Sequence, residues 1–457
     1  MQNTLVSAGY LSAASATGYF GSLTLAAVKK YQCDKGVACS GASWGVVGPA
    51  TQAMLASAAG SAPPLSSREL SGQSIGPAWK GKLEVGGWIP YWRQATGTID
   101  VLPHLSQMTE ISPFVFTLKS DGSVYDAGGI GQEPWVSFIA QAKAQKVRVI
   151  PTIMSGDGAL LQTILSNATT RVALEDSIAT MAKQGNWDGV DIDFEAKKAE
   201  TKDYFSTFLK GLYQRMGTKW VYCSIEARMP LSDRYGIGAT PPADATEYAN
   251  DYTALNKYCD RVEIMTYDQG TIDTVLNNSR AGPYAPVADP AWVSNVVNLA
   301  AQSIAKNKIL IGVPTYGYEY SVTPSGAGYQ YDVLWAFNPG YATQLASLLG
   351  ITPVRNSADE LSYIFKSTPQ TDAAVQTASV PGSVTNSSLG NTTAPPTAVY
   401  SQQAIAGSIQ PPFNYVSWSD AQAISDKVAL AKSLGVRGVA VFKFDGAEDQ
   451  NIWNVLK

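Results

Sequence analysis

The chain has 457 residues, more than one hydrophobic core usually supports, and its 45% hydrophobic and 10% aromatic content can fill a large core plus a smaller module. A net charge of −4 offers no basic field for nucleic acid or an anionic membrane surface, and no apolar run approaches the ~18 residues of a membrane span. A single histidine, His104 in "VLPHLSQM", and four cysteines without paired CxxC spacing leave little for imidazole nucleophilic schemes or zinc, so neither metal nor cofactor is expected and any chemistry rests on carboxylates, tyrosines and backbone.

From the N-terminus, "SLTLAAVKKYQ" and "GPATQAMLASAA" have helical spacing, which predicts a compact helical module over residues 1–57. Residues 58–80, rich in Pro, Ser and Gly, read as a linker to a domain over 81–457. Cys33 and Cys39 bracket a short loop that a disulfide would close in an oxidising compartment, which favours an extracellular or cell-wall-associated protein. "MQNTLVSAGYLSAAS" has no basic stretch followed by an apolar one, so no signal peptide is visible and an upstream segment would have to supply export. The run "GYLS…ATGYFGSLTLAAVKKYQ…GVVGPATQAML" resembles the peptidoglycan-binding domain family over residues 5–57, with the first helix of that family expected to be missing.

Beyond residue 83, eight short apolar runs alternate with helical stretches: 83–92, 110–118, 147–153, 188–195, 219–227, 260–268, 308–317 and 437–445. That rhythm predicts an α/β fold, a (β/α)8 TIM barrel. More than a hundred residues separate the seventh run from the eighth, which predicts an insertion with ordered flanks at "RNSADELSYIF" and "PFNYVSWSD" and a mobile Ser/Thr/Pro-rich loop over 367–400. Active sites of such barrels lie at the C-terminal strand ends. This rule selects Tyr91, Trp92, Phe116, Asp193, Glu195, Glu226, Arg228, Tyr267, Asp268, Tyr316, Phe442 and Asp445.

The fourth run, "DGVDIDFE", places Asp191, Asp193 and Glu195 on one face of a strand at a spacing of roughly 7 Å, with Val190, Ile192 and Phe194 on the other. Stacked carboxylates inside a barrel cannot all ionise cheaply, so the group is expected to hold a proton, and a protonated Glu at the rim suits general acid catalysis. Because Asp193 and Glu195 approach from one side, the nucleophile has to come from elsewhere, and a 2-acetamido group on the substrate can provide it. Glu226 and Asp268 keep a second protein carboxylate open. The alternatives are a divalent-metal site and an acidic network that only braces strands.

Asp188, Asp191, Asp193 and Glu195 also match DxxDxDxE, and in this respect the chain resembles glycoside hydrolase family 18 over residues 83–457, with "GGWIPYW", "MTYD" and the last helix and strand in support. The resemblance implies Glu195 as acid and then base, and Asp193 orienting the acetamido group with Asp191 sharing its proton. It implies Tyr267 bonding the acetamido carbonyl, with Met265 and Asp268 lining the same pocket. Two departures stand out: Phe442 occupies the eighth-strand position where the family commonly has Trp, and the third-strand motif keeps only Ser155 and Gly156. Tyr91, Trp92, Phe116, Glu226, Arg228 and Phe442 are expected to contact sugar, Glu226 and Arg228 alternatively pairing with each other. The resemblance thus implies a monomeric, retaining hydrolase of β-1,4 bonds in GlcNAc-containing polysaccharide, peptidoglycan before chitin. The competing reading is a chitinase-like protein that binds carbohydrate without cleaving it.

Overall fold

Parallel pairing of short apolar strands produces a closed ring in the computed structural model, which describes residues 2–12, 21–41, 43–48, 50–51, 54–55, 78–280, 282–325, 328–378, 399–400 and 412–457. The first nine strands are β1 (Glu84–Pro90), β2 (Glu110–Leu118), β3 (Val124–Asp126), β4 (Arg148–Val149), β5 (Thr152–Ser155), β6 (Gly189–Phe194), β7 (Trp220–Glu226), β8 (Arg261–Met265) and β9 (Ile309–Pro314). Six more follow: β10 (Gly317–Ser325), β11 (Gly328–Phe337), β12 (Val354–Arg355), β13 (Leu361–Phe365), β14 (Val399–Tyr400) and β15 (Phe413–Trp418); β16 (Gly438–Phe442) completes the set. The ring runs β1-β2-β5-β6-β7-β8-β9-β16 and returns to β1, with β4 extending the third position and β3 folded back on β2.

Strand period decides what faces where. Phe194 points outward and packs on Phe205 and Phe208 of the helix Lys202–Met216, at centroid distances of 6.2 and 5.5 Å, so the acids alternating with it point inward. Surrounding helices start at side-chain caps that satisfy their first free N–H groups: Asp157 accepts from Ala159 and Leu160, Asn167 from Thr169 and Thr170, and Asp251 from Thr253 and Ala254. The N-terminal end of the barrel is closed by charge. Arg261 donates twice to Glu84, Arg437 and Arg148 also reach it, and Arg148 pairs with Glu110. Burial opposes the Glu84 charge, but the hydrogen bonds from Arg261 and Arg437 outweigh it and hold that carboxyl at about 2. His104 stacks on Trp453 at 4.2 Å, away from the barrel mouth, a packing role.

Between β9 and β16 the chain builds a six-stranded antiparallel sheet in the order β12-β13-β15-β10-β11-β14, with helices Pro339–Leu349 and Pro369–Ala378. Part of the segment expected as a loop over 367–400 is regular structure. Its first part is the helix Pro369–Ala378, whose Ala-rich sequence suits a helix, and Val399–Tyr400 pair with Tyr329 and Gln330. Residues 379–398 lie outside the described residues, as do 58–77 of the expected linker.

The chain divides into two compact units, Met1–Ser71 and Gly72–Lys457. In the first, helices Gln2–Ser7 and Ser22–Asp34 bury Leu5, Leu11, Val28, Tyr31 and Leu55. A short helix thus stands near where an absent one was expected, while much of "GPATQAMLASAA" is outside the described residues. Gln32 stitches the loop after the second helix, donating to Val46 and Thr51 at 2.8 Å and accepting from Gly45 at 2.6 Å. Cys33 and Cys39 are disulfide-bonded, and so are Cys223 of β7 and Cys259.

Candidate active site

The ladder on β6 runs from a satisfied base to an unsatisfied top. Register places Thr152 and Ser224 beside it, Thr152 opposite Asp191 and Ser224 opposite Asp193. Asp191 is fully buried and accepts from Trp88 Nε1 at 3.1 Å, Thr152 Oγ1 at 2.8 Å and Ser224 Oγ at 2.9 Å. Burial raises its carboxyl, and those three donors pull it back. Asp193, one rung higher, hydrogen-bonds to Glu195, while its Oδ1 has no hydrogen-bond partner. Burial, then repulsion from Glu195 and Asp191, push its carboxyl well above the ordinary range. Glu195 stands at the rim with its backbone N–H on Ser155 O at 2.8 Å. Burial and the nearby Glu226 raise it to about 7 against the opposing charge of Lys197. The cluster therefore retains a proton near neutrality. Asp188, the first acid of the motif, accepts from Val149 N at 2.8 Å and braces the strand instead.

A cleft of about 750 Å³ opens over these groups and brings together Tyr91, Trp92, Phe116, Asp193, Glu195, Met265, Tyr267, Asp268 and Phe442. Phe442 is the centre of its aromatic floor: it stacks on Tyr267 at 5.7 Å and 24°, and meets Trp88, Phe114 and Tyr316 at 5.8, 6.4 and 6.2 Å. Asp268, at φ 57°, accepts on one oxygen from Tyr316 and from Tyr318 at 2.7 Å, so the insertion reaches into the site through its tyrosines. Burial raises the Asp268 carboxyl and the two phenols offset part of that. Among the described residues no group of three or more His, Cys, Asp or Glu could hold a metal ion.

Glu226 and Arg228 lie elsewhere, in a neighbouring hollow of about 400 Å³, and do not pair with each other. Glu226 accepts from Ala196 N at 3.0 Å and Asn250 Nδ2 at 2.8 Å, while Arg228 sits over the rings of Tyr248 and Tyr252 at 3.6 and 4.0 Å. Asp445 is buried behind the floor on Asn338 and Lys443. Trp88, Phe114 and Met154 also line the cleft. Trp88 and Phe114 stand at inward positions of β1 and β2, so period 2 along "EVGGWIP" and "EISPFVF" carried a signal for them, although only a known register says that they converge.

A (β/α)8 barrel with an acidic mouth over an aromatic floor defines a carbohydrate-active class of site. The chain belongs to the glycosyl hydrolases family 18, whose model matches residues 87–447; the model described as "Putative peptidoglycan binding domain" matches residues 1–55. It is 25% identical over 226 residues to the uncharacterized glycosylase YvbX of Bacillus subtilis (strain 168), covering 48% of this chain and 61% of that protein. It is 23% identical over 217 residues to a cortical fragment-lytic enzyme of Bacillus cereus, covering 47% and 46%. The chain thus spans about half the length of these relatives. The spore cortex-lytic enzyme SleL of Bacillus megaterium QM B1551 shares the fold, with a TM-score of 0.58 and 19% identity over 82% of this chain and 73% of that one.

Proposed function

We propose that the protein is a retaining glycoside hydrolase that cleaves β-1,4 bonds in GlcNAc-containing polysaccharide, peptidoglycan in preference to chitin, by substrate-assisted catalysis. The observation that carries this is the orphaned, buried Asp193 Oδ1 beside a rim Glu195 raised to about 7, both on one wall of the cleft. An acceptor left unpaired in a buried place costs stability unless a ligand donor completes it, and an acetamido N–H is such a donor. The other cleft carboxylates are engaged: Asp268 holds two tyrosines and Asp157 caps a helix. That favours a nucleophile carried by the substrate.

In this mechanism Glu195 protonates the glycosidic oxygen, the bond from the anomeric carbon to that oxygen breaks and the leaving sugar departs as an alcohol, while the acetamido carbonyl, steadied by Tyr267, closes on the anomeric carbon. Asp193 accepts the acetamido N–H and stabilises the oxazolinium ion, with Asp191 beneath it. Water then adds to the anomeric carbon, the bond to the acetamido oxygen breaks, and Glu195 takes the proton that the water releases. The sugar rests on Phe442 and Trp88, with Tyr91, Trp92, Phe116 and Met265 beside it. Residues 1–57 serve as a wall-binding module, 58–80 as a linker and 81–457 as the catalytic domain, in a protein that works at the cell wall as a monomer. The match to a peptidoglycan binding domain and the cortical fragment-lytic relative support the choice of substrate. The test is incubation of purified peptidoglycan and of a chitooligosaccharide with the native chain and with Glu195→Gln. New reducing ends only with the native chain, and faster from peptidoglycan, are expected; binding without cleavage by both would establish the carbohydrate-binding alternative.

A further inference from the structure

The backbone immediately behind Glu195 is gripped on both sides. Ala196 has φ 54°, a left-handed conformation unusual for alanine. Its N–H bonds to Glu226 Oε1 of β7 at 3.0 Å. Its carbonyl lies against Gly158, where a Cβ would come within 2.0 Å of it. The next residue, Lys197, folds its side chain inward: it is fully buried, stands over the Phe205 ring at 4.7 Å and comes 3.9 Å from Glu226 Oε2. Its Nζ has no hydrogen-bond partner. A buried cation without a hydrogen bond is costly and calls for an electrostatic reason. The nearby carboxylates provide one.

We infer that Glu226 and Lys197 form a clamp that positions Glu195, Glu226 fixing the turn through Ala196 and Lys197 supplying the buried charge that balances the acids around it. The inference rests on the proposed function, since it assigns both residues to the acid of that reaction. The groups that face Glu195 are Asp193 from β6, Glu226 from β7, Tyr267 and Asp268 after β8, Lys197 from the turn and Asp157 across the cleft; Arg228 stands beyond Glu226. Of these, Glu226 raises the Glu195 carboxyl and Lys197 lowers it, so the two residues act in opposite senses.

The experiment is the pH profile of kcat/KM on a fluorogenic chitooligosaccharide for the native chain, Lys197→Met, Glu226→Gln and Glu226→Ala. Losing the positive charge raises the pH at which Glu195 gives up its proton, so Lys197→Met moves the alkaline limb up; Glu226→Gln moves it down, each by about 0.5–1 pH unit. Glutamine still accepts from Ala196, whereas alanine cannot, so Glu226→Ala is expected to lose about tenfold more kcat than Glu226→Gln at a KM within about twofold. A limb that stays in place, two limbs that move the same way, or Gln and Ala variants of equal kcat would overturn the clamp. A native chain that cleaves neither chitooligosaccharide nor peptidoglycan would overturn the proposed function itself, and the clamp with it.

Discussion

Replacing Glu195 by glutamine is expected to stabilise the protein above neutrality while it abolishes hydrolysis. In the folded chain this carboxyl is raised from 4.5 to about 7, by burial first and by Glu226 second. Below pH 4.5 folded and unfolded chains both hold the proton; between there and about 7 only the folded chain does, so stability falls as pH rises through that window and stays lower above it. At about 1.4 kcal/mol per pH unit the displacement is worth roughly 3 kcal/mol, and solvent at the rim and relaxation of Asp193 reduce it to about 1–3 kcal/mol. Glutamine has the same shape and does not titrate. Urea unfolding followed by tryptophan fluorescence should therefore show the variant nearly equal to the native chain near pH 4.5 and more stable by about 1–3 kcal/mol near pH 8. A difference that does not change with pH, or a variant less stable near pH 8, would refute the reasoning.

Phe442→Ala removes the ring that meets Trp88, Phe114, Tyr267 and Tyr316. It should raise KM about tenfold in steady-state kinetics and lower stability by about 3 kcal/mol, whereas Phe442→Trp should retain activity. Tyr267→Phe, which deletes one hydroxyl at the cleft, should cut kcat about 100-fold with little change in melting temperature. Exchanging Cys223 and Cys259 together for alanine opens a cross-link of sequence separation 36, and chemical denaturation should show a loss of about 3–4 kcal/mol.

What could be read in the sequence was whatever depends on local period. Alternation in "DGVDIDFE" placed Asp191, Asp193 and Glu195 on one inward face, because a strand has no other way to arrange them. The alternating apolar runs likewise carried the barrel. Features that depend on register between distant strands were not legible. Thr152 and Ser224 hold Asp191 only because β5 and β7 flank β6 at that height. Glu226 reads as a sugar contact at a strand end, yet it turns to the backbone of Ala196. Cys223 and Cys259 meet because β7 runs beside β8, just after Cys259, which spacing in the chain does not reveal. Tyr318, which binds Asp268 together with Tyr316, comes from β10, within an insertion whose course has no short-range signature.

In the proposed mechanism the substrate's own acetamido group attacks the anomeric carbon from the face opposite the departing glycosidic oxygen. Proton NMR of the reducing ends freshly released from a chitooligosaccharide measures this most directly. Double displacement through an oxazolinium ion predicts the β-anomer first, with the matching cello-oligosaccharide, which lacks the acetamido group, left uncleaved. First appearance of the α-anomer, or comparable cleavage of the cello-oligosaccharide, would contradict it.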